Sequence, residues 1–139
     1  MLFRSASMNL TPGTEIPTKS FSVNRELLVQ YANASGDQNP IHQNEEFAKS
    51  VGLPNVIAHG MFTMGLAGKY LSEINGSAAV KEFSAKFIKP VVVPKGVNVE
   101  LKISGVVGEV ADGLAKIDLT VICDEVKVLG NAKGLIKLG

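Results

Sequence analysis

Asp37, His42 and His59 bring residue types suited to proton transfer into one short stretch of this sequence. Asp37 and His42 stand five positions apart in Gly36-Asp37-Gln38-Asn39-Pro40-Ile41-His42. Across a turn fixed by Pro40, a carboxylate and an imidazole at that spacing converge on one point, where a water between them is activated. His59 precedes Gly60 and a strongly apolar run that begins at Met61. If that run is a helix, the Gly60 backbone N–H is unpaired and lies at the end where the dipole favours negative charge. That makes it a candidate oxyanion donor.

Plainer roles compete for each of these residues. Asp and Asn before Pro commonly serve turns. A histidine beside an apolar helix is more often a hydrogen-bonded structural residue, and Gly60 also suits a helix cap. No metal is expected, because two histidines and one carboxylate lack the His-x3-His spacing of a helical zinc site. No Gly-rich phosphate loop follows a strand, and no Gly-x-Ser-x-Gly motif marks a nucleophile. Cys123 reads as a buried structural thiol within a strand.

Several elements must position these groups. Residues 15–22 suit a short first strand. A helix over 23–35 is capped by Ser22 or Asn24, carries Leu27, Leu28, Tyr31 and Ala32 on one face, and stops at Gly36. Residues 37–42 form a loop, and a short helix over 45–51 ends at Gly52 and Pro54. The run 61–74 leaves little polar face, so it predicts a helix buried on several sides. Gly65 and Gly68 within it each cost roughly 1 kcal/mol relative to Ala, which suggests close approach of another backbone. The period then changes to two. Phe83, Ala85 and Phe87 share one strand face, Val97, Val99, Leu101 and Ile103 another, and Ala115 to Cys123 a third. Residues 126–138 predict a final strand or two, with Gly130 and Gly134 as bulges. Pro90 and Pro94 bracket a turn, and Gly108 and Gly113 bound a hairpin. The expected architecture is α+β, one long antiparallel sheet with a single buried helix against it.

Composition narrows the function. The chain has 139 residues, 45% of them hydrophobic and 19% charged, which suits one packed domain across 1–139. Residues 1 to about 13 read as a loose lead-in. The 14 Lys and Arg nearly cancel the 13 Asp and Glu, leaving +1 and no basic block for a nucleic-acid partner. One cysteine excludes an intrachain disulfide framework, and no membrane insertion or signal peptide is expected. The expected location is cytoplasmic.

The joint pattern is more specific than any single pair. Tyr31-Ala32-x2-Ser35-Gly36-Asp37-x-Asn39-Pro40-Ile41-His42, followed by Ala48-x3-Gly52-Leu53-x3-Ile57-Ala58-His59-Gly60-Met61, resembles the MaoC-like (R)-specific enoyl-thioester hydratases of the hotdog fold. The resemblance covers residues 20–138. The run from Ile57 to Gly65 looks closest to the catalytic subunit of the actinobacterial (3R)-hydroxyacyl-carrier-protein dehydratases.

The resemblance implies a hydro-lyase acting reversibly on trans-2-enoyl and (R)-3-hydroxyacyl thioesters of coenzyme A or acyl-carrier protein, with no cofactor. By the same resemblance Asp37 and His42 hold the catalytic water, one removing its proton while the other delivers a proton to C2. The Gly60 N–H polarises the thioester carbonyl, with Asn39 and His59 in support. A homodimer, or a heterodimer with another hotdog subunit, is implied as well. Some relatives carry a helper Ser on the central helix where this chain has Gly68. Two other readings remain: a non-catalytic hotdog partner subunit, which should lack Asp37 and His42, and an acyl-thioester hydrolase, which needs a carboxylate that residues 61–70 do not supply.

Overall fold

A computed structural model describes residues 10–138. Most of the expected lead-in, residues 1–9, lies outside the described residues. Of the remainder, Gly13 donates its N–H to the Val107 carbonyl at 2.7 Å, which ties residues 10–13 to the sheet. Five strands follow: β1 (Glu15–Val23), β2 (Val80–Phe87), β3 (Val99–Ala111), β4 (Leu114–Cys123) and β5 (Val126–Lys137). They form one antiparallel sheet in the order β1-β3-β4-β5-β2, so β1 and β2 are its edges. Helix α1 (Arg25–Ser35) and the short α2 (Glu45–Ser50) precede α3 (Gly60–Asn75), the long helix that packs on the sheet. This is the hotdog arrangement.

The alternating residues of β3, β4 and β5 build the core. Leu101, Ile103, Ile117, Val121 and Ile136 are fully buried, and Ala67, Tyr70, Leu71 and Ile74 of α3 meet them. Tyr70 anchors α3 to the irregular part of β1, donating its hydroxyl to the Pro17 carbonyl at 2.9 Å.

Some expectations need correction. Met61 is 62% exposed, so α3 is open to solvent at its N-terminal end. Neither Gly65 nor Gly68 admits another backbone: a Cβ on Gly65 would meet nothing, and one on Gly68 would make ordinary contact with the Phe83 ring at 3.9 Å. The close approach occurs at Gly134. There a Cβ would lie 2.6 Å from Leu71 Cδ1, so the glycine makes room for α3. Gly134 keeps register with Phe83 and Ile117, and one irregularity of β5 falls instead between Gly130 and Lys133, where Asn131 has φ +47°. Val97 is exposed and lies before β3. Residues 126–137 form a single strand.

Candidate active site

Local chain chemistry builds the site from three segments. Asn24 caps α1 by accepting the Leu27 N–H at 2.9 Å, and Gly36 ends it at φ +83°, a left-handed turn that suits glycine. The chain then enters the Asp37 loop. Asp37 Oδ1 accepts the Asn39 N–H at 3.1 Å, and Asn39 Oδ1 accepts the Ile41 N–H at 3.2 Å. These two bonds shape a 3-10 turn, Pro40–His42, which turns His42 inward. The third segment reaches α3 through a short antiparallel pairing. Val93 donates to the Val56 carbonyl and Ala58 to the Val91 carbonyl, each at 2.8 Å, which fixes the backbone just before His59 and Gly60.

Asp37, His42 and His59 come together, with side-chain donor atoms within 4.8 Å of one another. His42 Nε2 stands 4.0 Å from Asp37 Oδ2. That exceeds a direct hydrogen bond and leaves room for one water bonded to both. His42 Nδ1 lies 2.8 Å from the Ile57 carbonyl oxygen. A carbonyl only accepts, so the proton sits on Nδ1 and Nε2 presents a bare lone pair toward Asp37. Burial holds the His42 imidazole below its ordinary value of 6.5. The Ile57 carbonyl and Asp37 oppose that shift, and His59 adds to it. His42 is therefore neutral, a base, at pH 7.

His59 is only 2% exposed and touches both other members of the cluster. Its Nε2 donates to the Asp37 backbone carbonyl at 3.1 Å, and its ring stacks on His42 with centroids 3.8 Å apart and planes 23° from parallel. Tyr31 of α1 closes the far side, edge-on at 4.7 Å. With Nε2 carrying the proton, His59 Nδ1 is an acceptor, buried without a protein partner among the described residues. The three donor atoms are near enough to surround a metal ion. Their directions do not suit one, because an ion binds in the plane of each imidazole at about 2.0–2.1 Å, and stacked rings send their lone pairs side by side.

Helix α3 begins at Gly60 with no side-chain cap, and His59 accepts from Phe62 and Thr63 at 3.0 and 3.3 Å. The N–H groups of Gly60 and Met61 take no protein partner among the described residues. A Cβ on Gly60 would lie 3.1 Å from the Phe87 ring, so only glycine leaves this helix end open beside that side chain. Gly60 and His42 line one cavity of about 320 Å³ between α3 and the β2 and β5 strands. Its walls are otherwise mostly apolar, from Ile57, Phe87, Ile88, Val128 and Leu129. Lys89 and Thr63 are its remaining polar side chains. Thr63 carried no signal in the sequence, since a threonine within an apolar helix has no special spacing. Glu73, the one carboxylate of α3, is absent from this cavity and is held by Lys19 at 2.6 Å. Cys123 is buried, and burial raises its thiol above the ordinary range, against a nucleophilic role.

Comparison with known proteins gives the chain's family. Residues 7–125 match the family model described as "MaoC like domain". The chain is 48% identical over 67 residues to 3-hydroxyacyl-thioester dehydratase X of Mycobacterium tuberculosis, covering 47% of this chain and 22% of that protein. It is 34% identical over 98 residues to 3-hydroxybutyryl-CoA dehydratase of Methylorubrum extorquens, covering 69% and 61%. A solved structure described as a MaoC-like dehydratase superposes with a TM-score of 0.91 at 30% identity, covering 94% of this chain and 41% of that one. The first curated relatives are longer proteins, of which this chain spans about a quarter or less. Among the described residues no helix is long and apolar enough to cross a membrane. With its family model matched over most of its length and the hotdog sheet in place, the chain belongs to the MaoC-like domain family.

Proposed function

We propose that this chain is a catalytic hydro-lyase domain acting on acyl thioesters. It adds water across the 2,3 double bond of a trans-2-enoyl thioester and, in reverse, dehydrates an (R)-3-hydroxyacyl thioester. The observation that carries the reading is the 4.0 Å gap between Asp37 Oδ2 and the bare His42 Nε2, at the edge of an apolar cavity.

In hydration, Asp37 accepts one hydrogen of the water and His42 Nε2 accepts the other. The water oxygen bonds to C3 as its proton passes to His42. The π electrons of the double bond move to C2, and His42 then delivers that proton to C2, so the enzyme ends as it began. Assigning both proton steps to His42 rests on its tautomer, because Nδ1 is engaged by Ile57. Negative charge on the thioester oxygen during the reaction is met by the Gly60 N–H at the start of α3. The (R) configuration rests on the family resemblance. Names of related proteins support the substrate class: one curated relative is called enoyl-CoA hydratase 2 and another 3-hydroxybutyryl-CoA dehydratase.

Hydration of crotonyl-coenzyme A and of longer enoyl thioesters, on coenzyme A and on acyl-carrier protein, tests this directly. Loss of enoyl-thioester absorbance without thiol release is expected. Thiol release would make the domain a thioesterase. Unchanged absorbance with every substrate would leave the role of a non-catalytic partner subunit.

A further inference from the structure

Thr63 is 4% exposed, lies one turn into α3, and lines the same cavity as His42 and Gly60. Its backbone N–H is bonded to the His59 carbonyl at 3.3 Å, whereas its hydroxyl takes no protein partner among the described residues. His59 Nδ1 is the one fully buried side-chain polar atom without a partner among the described residues, so the Thr63 oxygen itself opens on the cavity, where water or a ligand bonds it.

Helix geometry says which part of a ligand the hydroxyl meets. Side chains of an α-helix lean toward its N-terminus, and residues three apart share a face. The Thr63 hydroxyl therefore leans over the first turn, on the side of Gly60. Gly60 has no side chain to intervene, and its N–H is open. A hydroxyl proton and an amide proton then face the same space, at the end of the helix where negative charge is favoured.

We propose that Thr63 is a second catalytic donor, whose hydroxyl bonds the thioester carbonyl oxygen together with the Gly60 N–H. This rests on the hydro-lyase reading above. In that reaction the carbonyl oxygen gains negative charge as water adds at C3, and two donors share it. The other polar wall residues suit other tasks: His42 faces Asp37, and Lys89 is an exposed residue of the cavity rim.

The test compares Thr63→Val, which keeps the shape and removes the donor, with Thr63→Ser, which keeps the donor. Turnover of an enoyl thioester is measured beside thermal melts on the same preparations. The carbonyl stretch of a bound, carbonyl-13C-labelled 3-hydroxyacyl thioester is read by difference infrared spectroscopy. Thr63→Val should lower kcat by about 10²-fold, the usual effect of losing one such donor. Its bound carbonyl band should shift toward the solution frequency, while Thr63→Ser stays within a few-fold of the unaltered protein in both readouts. Thr63→Val turning over within threefold of the unaltered protein would overturn the proposal. So would a loss of kcat with an unmoved carbonyl band, or equal losses in the Val and Ser variants. If Thr63→Val does not fold, Thr63→Ala removes the same donor with less bulk and is judged by the same criteria. Failure of the unaltered protein to hydrate any enoyl thioester would instead defeat the hydro-lyase reading, and the carbonyl band would still report whether Thr63 touches a bound thioester.

Discussion

His42 and His59 stack 3.8 Å apart, and each directs its single proton to a different backbone carbonyl. His42 Nδ1 gives its proton to Ile57, which aims Nε2 at Asp37. His59 Nε2 gives its own to the Asp37 carbonyl, which fixes the loop that carries the carboxylate. One histidine is thus left with a usable lone pair facing the carboxylate, and the other secures the loop and the stack. Protonating His42 would place a positive charge against the His59 ring in a buried setting.

That arrangement sets a pH dependence. Burial lowers the His42 pKa from 6.5, so the base form persists into mildly acidic solution. The acid limb of the kcat/KM profile for hydration should have its midpoint below 6.5. Stability should move the same way. Below 6.5 the unfolded chain takes up a proton that folded His42 resists, so this contribution is complete above 6.5 and is lost as pH falls through the folded value. Kinetics and melts between pH 4.5 and 8, on the protein and on His42→Gln, test both. An acid limb centred above 6.5 would remove His42 as the base.

Gly60→Ala should separate catalysis from stability. The added methyl would sit 3.1 Å from the Phe87 ring, and Phe87 is half-exposed and able to yield by a few tenths of an ångström. Gly60 is the first residue of α3, where the interior preference for alanine over glycine acts only weakly, so the yielding Phe87 ring decides the cost. The melting temperature should change little, while the methyl and the displaced ring narrow access to the helix end and lower kcat at least tenfold. Full activity in a Gly60→Ala protein would show that substrate does not approach there.

Much of this fold is legible from local rules. Asn24 and Gly36 announce the ends of α1, and strict alternation marks β4, because caps and pleats depend on near neighbours. Positions set by tertiary contact are not legible in that way. β3 continues from Ile103 to Ala111 although Gly105 and Gly108 interrupt its pattern. The structure explains Gly105, where a Cβ would lie 3.2 Å from Ile117 and 3.4 Å from the Tyr70 ring. Gly134 looked like a bulge for the same reason, since the sequence does not reveal which helix residue faces it. Within the site, the Asp37 and His42 spacing was readable. The His42–His59 stack, the Tyr31 edge contact and the Thr63 hydroxyl arise only when α1, the loop and α3 meet.

The contact at Gly134 predicts a steep cost. A Cβ there would stand 2.6 and 2.8 Å from the two methyls of Leu71, which is fully buried. Gly134→Ala should therefore destabilise by about 1–3 kcal/mol through overpacking. Leu71→Val in the same chain should recover part of the loss by withdrawing those methyls. Thermal melts of the single and double variants measure this, and a Gly134→Ala protein as stable as the parent would contradict the packing described.

Assembly should leave no lone hotdog domain. β1 and β2 are sheet edges, and Met61, Phe87 and Ile88 expose apolar surface around α3 and the end of β2. Unpaired edges and apolar patches of this kind are usually covered. Pairing two sheets edge to edge, with a second copy or another hotdog chain, satisfies both. Sedimentation at micromolar concentration should show a dimer for the chain alone or with such a partner, and a stable monomer in both settings would oppose it.

The assigned mechanism depends most directly on Asp37 and His42 acting on one water. Asp37→Asn keeps the side-chain size and one acceptor oxygen but removes the charge. His42→Ala removes the base altogether. Each should lower turnover by about 10²–10⁴-fold, because His42 is the positioned proton-transfer group and the Asp37 charge holds the water on which it acts. The double variant should be little worse than either single one, because groups that work as a unit are not additive. Asp37→Asn should keep the fold, since Asp37 is 53% exposed and the turn is held by Asn39 and Pro40. His42→Ala loses buried contacts, so its melt is the control that separates lost chemistry from lost structure. If Asp37 were only a turn residue, Asp37→Asn would change turnover little and any loss would follow the melting temperature. Near-normal activity in a well-folded Asp37→Asn protein would therefore end the one-water mechanism.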